Sequence, residues 1–213
     1  MQDSIISLQD RIKEIINYSY YLFCNKVVNG GLVIHNEASM QLYLGSILQQ
    51  IGTLHQFCKD EHFAVELEVP EQIENTQKSS NGKARCDIKI TLHNKTSKAE
   101  GFIELKYFRK HTNEPVTDNK FSLYCDIENL ENYLTISSDR ICYEILYTDN
   151  INYTMIKSDK KFCIGNNHTI IAGQYQYTKD KNVHIKKDYT LNWNIYEINK
   201  DREQYHCFLK INV

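Results

Sequence analysis

Three side chains carry the chemistry that this sequence could perform: Asp87 in RCDIKITL (85 to 92), and Glu104 and Lys106 in GFIELKYFRK (101 to 110). Side chains alternate between the two faces of a strand, so Glu104 and Lys106 share one face while Ile103, Leu105 and Tyr107 take the other. A carboxylate and an ammonium on one face of an apolar strand have two readings. One is a solvated sheet face, where such a pair contributes about a few tenths of a kcal/mol. The other is a charged site. Asp87 lies on the preceding strand, across the polar turn HNKTSKAE, and antiparallel pairing would turn it to the same cleft. Two carboxylates converging there resist ionising together. A divalent cation with hard oxygen ligands resolves that conflict. Mg²⁺ is held by one or two carboxylates together with substrate phosphate, and a lysine beside it can orient an attacking water. The chemistry so defined is hydrolysis of a phosphodiester.

The elements that must position these groups follow from hydrophobic spacing. Residues 4 to 27 read as a helix capped by Ser4, with Ile5, Leu8, Ile12, Ile15 and Ile16 at helical spacing, and Gly30-Gly31 breaks it. A second helix is expected from Asn36, as N-cap, to Phe57, with Met40, Leu44, Ile47, Leu48, Ile51 and Leu54 as its apolar stripe. FAVELEVP (63 to 70) alternates as a strand that Pro70 ends, and a polar loop leads to the strands holding Asp87 and Glu104. The order is a three-stranded meander. Residues 119 to 135 return to helical spacing and 140 to 148 form a strand, which allows a crossover into a mixed sheet. The last 65 residues read as short strands and turns, a β-rich part expected to pack on the same core.

With this element order, Asp87 and Glu104-Leu105-Lys106 resemble the PD-(D/E)XK nuclease superfamily, the restriction-endonuclease-like fold. The resemblance covers roughly residues 34 to 148. It implies an α/β domain with a mixed central sheet flanked by helices. It implies Asp87, Glu104 and the Leu105 carbonyl as ligands of Mg²⁺ or Mn²⁺, with Lys106 serving the attacking water. Many members add a glutamate from the helix before the first core strand, and Glu37 is the candidate. A subset carries Gln-x-x-x-Tyr on the helix after the motif. Here Asn129 stands in the glutamine position and Tyr133 matches, and Cys86 replaces the proline that often precedes the first acid. The implied activity is a deoxyribonuclease, an endonuclease of restriction or phage defence leaving a 5′-phosphate. The partner is DNA, with a second copy or another subunit of a defence system. The alternatives are an inactive nucleic-acid- or partner-binding protein of the same fold, and a nuclease for RNA or for particular structures.

Other features rank below this one. Asp87-Ile88-Lys89 is a rival motif, with Glu66 or Glu68 as its upstream acid, and Asp118-Asn119-Lys120 and Asp159-Lys160-Lys161 repeat the pattern. His55, Cys58 and His62 crowd together as zinc ligands would, but no second cluster accompanies them, and a helix end with incidental histidines is the simpler reading. Arg109, Lys110 and His111 after the motif strand, and Lys186 and Lys187 with Lys179 and Lys181, are the candidate phosphate contacts. Tyr175, Tyr177, Trp193 and Tyr196 would stack on bases or fill half-buried strand positions.

The bulk numbers set limits. A net charge of −2 gives no global basic field, so a polyanion partner needs local basic clusters or a bridging cation. The chain of 213 residues favours a single domain. Seven scattered cysteines without a C-x-x-C pair suit a reducing cytoplasm, and no run is apolar enough for a membrane span or signal peptide.

Overall fold

The computed structural model describes residues 6–72, 83–110, 116–156 and 162–213. Helix α1 (Leu8–Val28) starts at Ser7, whose side chain accepts the Asp10 amide. Ser4, the expected cap, lies outside the described residues. Helix α2 (Glu37–Leu54) begins at Asn36 as expected, in a reciprocal capping box with Ser39, and ends at His55. Strands β1 (His62–Gln72), β2 (Lys83–His93) and β3 (Lys98–Phe108) form the antiparallel meander. Helix α3 (Val116–Leu134) then crosses over to β4 (Arg140–Thr148), which runs parallel to β3. Pro70 does not end β1; it sits inside the strand opposite Arg85. That place is open to it because β1 is an edge strand, where a missing N–H breaks no ladder.

The C-terminal part is more closely built into the sheet than its short strands suggested. After a 3₁₀ turn at Ile151–Thr154 come β5 (Thr169–Ile170), β6 (Gly173–Gln176), β7 (Asn182–Ile185) and β8 (Tyr189–Thr190), which pair as two small sheets, β5 with β8 and β6 with β7. The hairpin β9 (Trp193–Asn199) and β10 (Gln204–Asn212) returns to the main sheet, giving the order β1-β2-β3-β4-β10-β9. The result is a mixed α/β fold with a six-stranded mixed sheet and three helices among the described residues.

Each face of the sheet carries its own core. Ile12, Ile16, Phe23, Leu44 and Leu48 from α1 and α2 pack on Ile88, Ile90, Ile103, Leu105 and Ile145. Phe121, Leu123, Ile127, Leu130 and Tyr133 of α3 pack on Phe102, Phe108, Cys142 and Leu146. Gly101 lets α1 lie close, because a Cβ there would stand 2.8 Å from Ile90 Cγ1 and 3.1 Å from Ile12 Cγ2. A buried ion pair fastens the same helix to the loop before β1. Arg11 grips Glu61 at 2.8 and 2.6 Å through both guanidinium ends, and Glu61 also accepts the Phe57 amide at 2.7 Å. The His55–His62 segment thus serves as this clamp's seat, with His55 capping α2. No described helix is long and apolar enough to cross a membrane.

Candidate active site

The site begins where β2 leaves β3. The two strands pair from His93↔Lys98 to Ile88↔Ile103 and no further, while β2 continues beside β1 to Lys83. Glu68 of β1, facing this point, has a positive φ of 53°, the backbone cost of the bend. Past Ile103, the edge of β3 is vacated, and its N–H groups need other acceptors. Two carboxylates supply them. Asp87 Oδ2 accepts the Leu105 N–H at 2.6 Å, and Glu37 Oε1, from the first turn of α2, accepts the Tyr107 N–H at 3.2 Å. The two amides are about 6.6 Å apart along a strand. A strand residue directs its N–H and C=O to the same side, so the Leu105 carbonyl faces this edge between the two acids.

Lys106 completes the group. Its ammonium stands 2.7 Å from Asp126 Oδ2 of α3 and 3.4 Å from the Leu105 carbonyl. The opening beside it, of about 360 Å³, is lined by Glu37, Lys106, Tyr107, Phe108, Asp118, Asn119 and Ser122. Glu37 is an exposed residue whose carboxyl turns inward to the Tyr107 amide. Desolvation there holds its pKa above the usual carboxylate range. Asp87 and Asp126 add to the rise, while Lys106 and the Tyr107 amide oppose it.

The structure therefore brings Asp87, Leu105, Lys106 and Glu37 to one place, on the elements expected. Glu104 arrives differently. It lies on the α3 face between Phe102 and Lys106 and is 0% exposed. In the parallel register it neighbours Glu144, also 0% exposed, on a strand about 4.8 Å away. Burial pushes the Cys86 thiol up, and the Glu104 and Asp87 carboxylates add to the rise. Among the described residues, no three His, Cys, Asp or Glu side chains form a group that could hold a metal ion.

Sequence reasoning missed Asp126 and Glu144. Both had a signal. Asn119, Asp126, Asn129 and Tyr133 recur at i, i+7, i+10 and i+14, a polar stripe on the buried side of α3. Glu144 is an isolated acid in RICYEILYT, a strand whose remaining core is apolar.

The expected nucleic-acid contacts divide. Arg109 is exposed, its guanidinium 5.5 Å from the Tyr107 ring centre, and it lines a hollow with His35 and not the opening beside Lys106. Lys110 is engaged elsewhere: its amide donates to Asp149 at 2.6 Å and its ammonium lies 3.2 Å from the Glu203 carbonyl. Asn129 and Tyr133 are 1% and 0% exposed beneath α3, so they support the core and have no surface for a strand. The Lys186 and Lys187 amides are held by the Glu131 carboxylate at 2.9 to 3.1 Å, near the C-terminal end of α3. The Lys186 ammonium is bound to Asn132 at 2.7 Å, and this pair belongs to the docking of β7 on α3. Tyr175 and Tyr177 pack with Phe121, Tyr124 and Phe162, and Trp193 is buried. They fill the core, as does Tyr196 against Phe208.

The rival motif separates on charge. Lys89 is committed to Glu71 at 2.9 Å and Glu100 at 3.1 Å, beside Arg140, and Ile88 is buried in the opposite core. Asp118-Asn119-Lys120 is the first turn of α3. His111 and Asp159-Lys160-Lys161 lie outside the described residues.

Comparison of the chain with protein-family models, with curated proteins and with solved structures gave no match.

Proposed function

We propose that the protein is a divalent-metal-dependent nuclease of restriction-endonuclease-like fold that hydrolyses DNA phosphodiester bonds. The observation that carries this reading is the Asp87 carboxylate on the Leu105 amide, at the split between two strands, with Lys106 beside it and Glu37 on the next free amide. Asp87, Glu37 and the Leu105 carbonyl are hard oxygen donors, the set that suits Mg²⁺ or Mn²⁺. Such ions need only one or two protein carboxylates, because substrate oxygens and waters complete the shell. Glu104 would complete that set from beneath. When bound, the cation supplies charge to offset that building on the scissile phosphate.

The remaining work falls to the chain. Lys106 is placed to hold the attacking water by its ammonium and to offset negative charge on the phosphate. Asp126 sets where that ammonium sits. Hydrolysis adds water across one P–O bond, so that one product ends in a phosphate and the other in a hydroxyl. Arg109, exposed beside Tyr107, takes a neighbouring phosphate.

One observation favours a second reading, a protein of this fold that binds nucleic acid without cutting it: Glu104 is fully buried and Lys106 is closed on Asp126. A single assay separates the two. Purified protein with Mg²⁺ or Mn²⁺ should nick plasmid DNA, EDTA should stop it, and Lys106→Ala should slow it by about 100-fold or more. DNA bound but left intact under all metal conditions selects the second reading. Full-rate cleavage by Lys106→Ala overturns the site.

A further inference from the structure

The histidines and cysteine crowded between α2 and β1 part company in the fold. His55 is turned back on α2, with Nδ1 3.0 Å from the Ile51 carbonyl and Nε2 3.8 Å from Glu14. His62 opens β1, directly across from His93 at the end of β2. Both rings stand on the α3 side of the sheet, since the neighbouring pair Phe63 and Leu92 is buried on the other. The ring centres are 5.3 Å apart at 35°, and both residues are exposed.

Both backbones are fixed before any ligand arrives. Glu61, next to His62, is held by Arg11 and by the Phe57 amide. His93 leads into a closed turn. There the Asn94 amide donates to the Ser97 carbonyl at 2.9 Å, and the Asn94 side chain accepts the Thr96 and Ser97 amides at 3.0 and 2.9 Å. The two exposed rings can still rotate, so each can turn a nitrogen toward a shared ion.

We propose that His62 and His93 form a two-histidine chelate for a divalent transition ion of the zinc type. Opposite residues of an antiparallel pair hold their Cβ atoms about 5 Å apart, within reach of one ion. Two imidazoles that each place a nitrogen about 2.1 Å from one tetrahedral Zn²⁺ have ring centres about 5 Å apart, close to the 5.3 Å found. Imidazole nitrogen selects zinc, nickel or copper over magnesium and calcium, so this site is chemically distinct from the oxygen donors around Asp87. Two protein ligands leave two positions for water. A polar hollow of about 560 Å³ beside His93, lined in part by Asn94, Ser97 and Asp139, has room for them. Lys98, paired with His93 on the other side, has its ammonium on Glu100 at 2.6 Å, so its charge is offset. The ion joins the first residue pair of β1, an edge strand, across to β2. The inference stands apart from the nuclease reading.

Isothermal titration of the full chain with Zn²⁺, in excess Mg²⁺, tests it. One equivalent of Zn²⁺ should bind. His62→Gln and His93→Gln should each weaken that binding about 10-fold or more, because a chelate gains from the effective concentration of its second arm. His55→Gln, Cys58→Ser and Asp87→Asn should leave it unchanged. Both histidines of the pair are exposed, so their glutamine variants should keep the fold, which circular dichroism checks. Paramagnetic Co²⁺ in place of Zn²⁺ should broaden the ring proton signals of His62 and His93 ahead of those of His55.

Zn²⁺ affinity that is unchanged in His62→Gln or in His93→Gln overturns the proposal, and so does a chain that takes up no Zn²⁺. Binding lost in His55→Gln or Cys58→Ser puts the ion on the segment before β1 and overturns it as well. Binding lost in Asp87→Asn assigns the ion to the oxygen site, with the same result.

Discussion

Lys106 is the residue on which opposing demands meet. Its ammonium is drawn to Asp126 at 2.7 Å, yet its proposed work lies at the edge of β3. Asp126 is therefore a positioning residue, and its loss should alter rate more than binding. Asp126→Asn is expected to lower kcat about 10- to 100-fold, the usual effect of losing an orienting partner, with KM little changed. The pH–rate profile should move as well, since the variant removes a negative charge beside an ammonium. A merely structural role would leave that profile in place.

Glu37 poses the same question through stability. Its folded pKa is raised above the ordinary 4.5, chiefly by desolvation. A raised carboxyl contributes stability that is complete below the unfolded pKa and is lost as pH rises through the folded one. At neutral pH the ionised group is thus a burden on the fold. Glu37→Gln should melt at a higher temperature than the parent at pH 7, and the two should converge below pH 4.5, while cleavage falls. Paired thermal melts across that range check it.

At the scale of elements, α1 and the loop before β1 are joined by the Arg11–Glu61 pair. Glu61 is held down to about 2, first by the Arg11 hydrogen bonds. Its contribution is present above the ordinary value of 4.5 and is lost as pH falls toward 2. Glu61→Gln leaves a buried guanidinium with half its partner, and should cost about 3–5 kcal/mol in a urea titration at pH 7. These elements show how far sequence alone reaches. The meander, the crossover helix and the second helix with its Asn36 cap were legible, because each rests on a local period of apolar residues or a cap one turn away. The split between β2 and β3 was not, since Asp87 reaches Leu105 only once the strands part. The burial of Asn129 and Tyr133 was equally hidden: spacing assigns a helix face, and only packing decides whether that face meets solvent. The same applies to Lys186 and Lys187, whose amides matter where their charges were expected to.

The whole molecule is tied together by its last strand. β10 lies between β4 and β9, and the Val213 amide closes on the Cys142 carbonyl at 3.0 Å. Phe208, in that strand, is fully buried against the α1 side of the sheet. The segment 34–148 that carries Asp87, Glu104 and Lys106 therefore leaves β4 without its second neighbour. A chain ending at residue 191 should fail to fold, giving a broad, uncooperative melt and weak protection of the β4 amides. A sharp two-state melt of that shortened chain would show the C-terminal hairpin to be an addition to an independent unit.

The carboxylates that cap β3 also have a consequence for measurement. Because Asp87 and Glu37 substitute for a missing strand, the protons on the Leu105 and Tyr107 nitrogens are shielded from solvent deuterium only while those two acids stay put. Anything that draws either acid away leaves its amide to trade its proton faster. Two backbone positions in the middle of the protein thus act as gauges for its cleft, readable without a substrate, a label or a turnover.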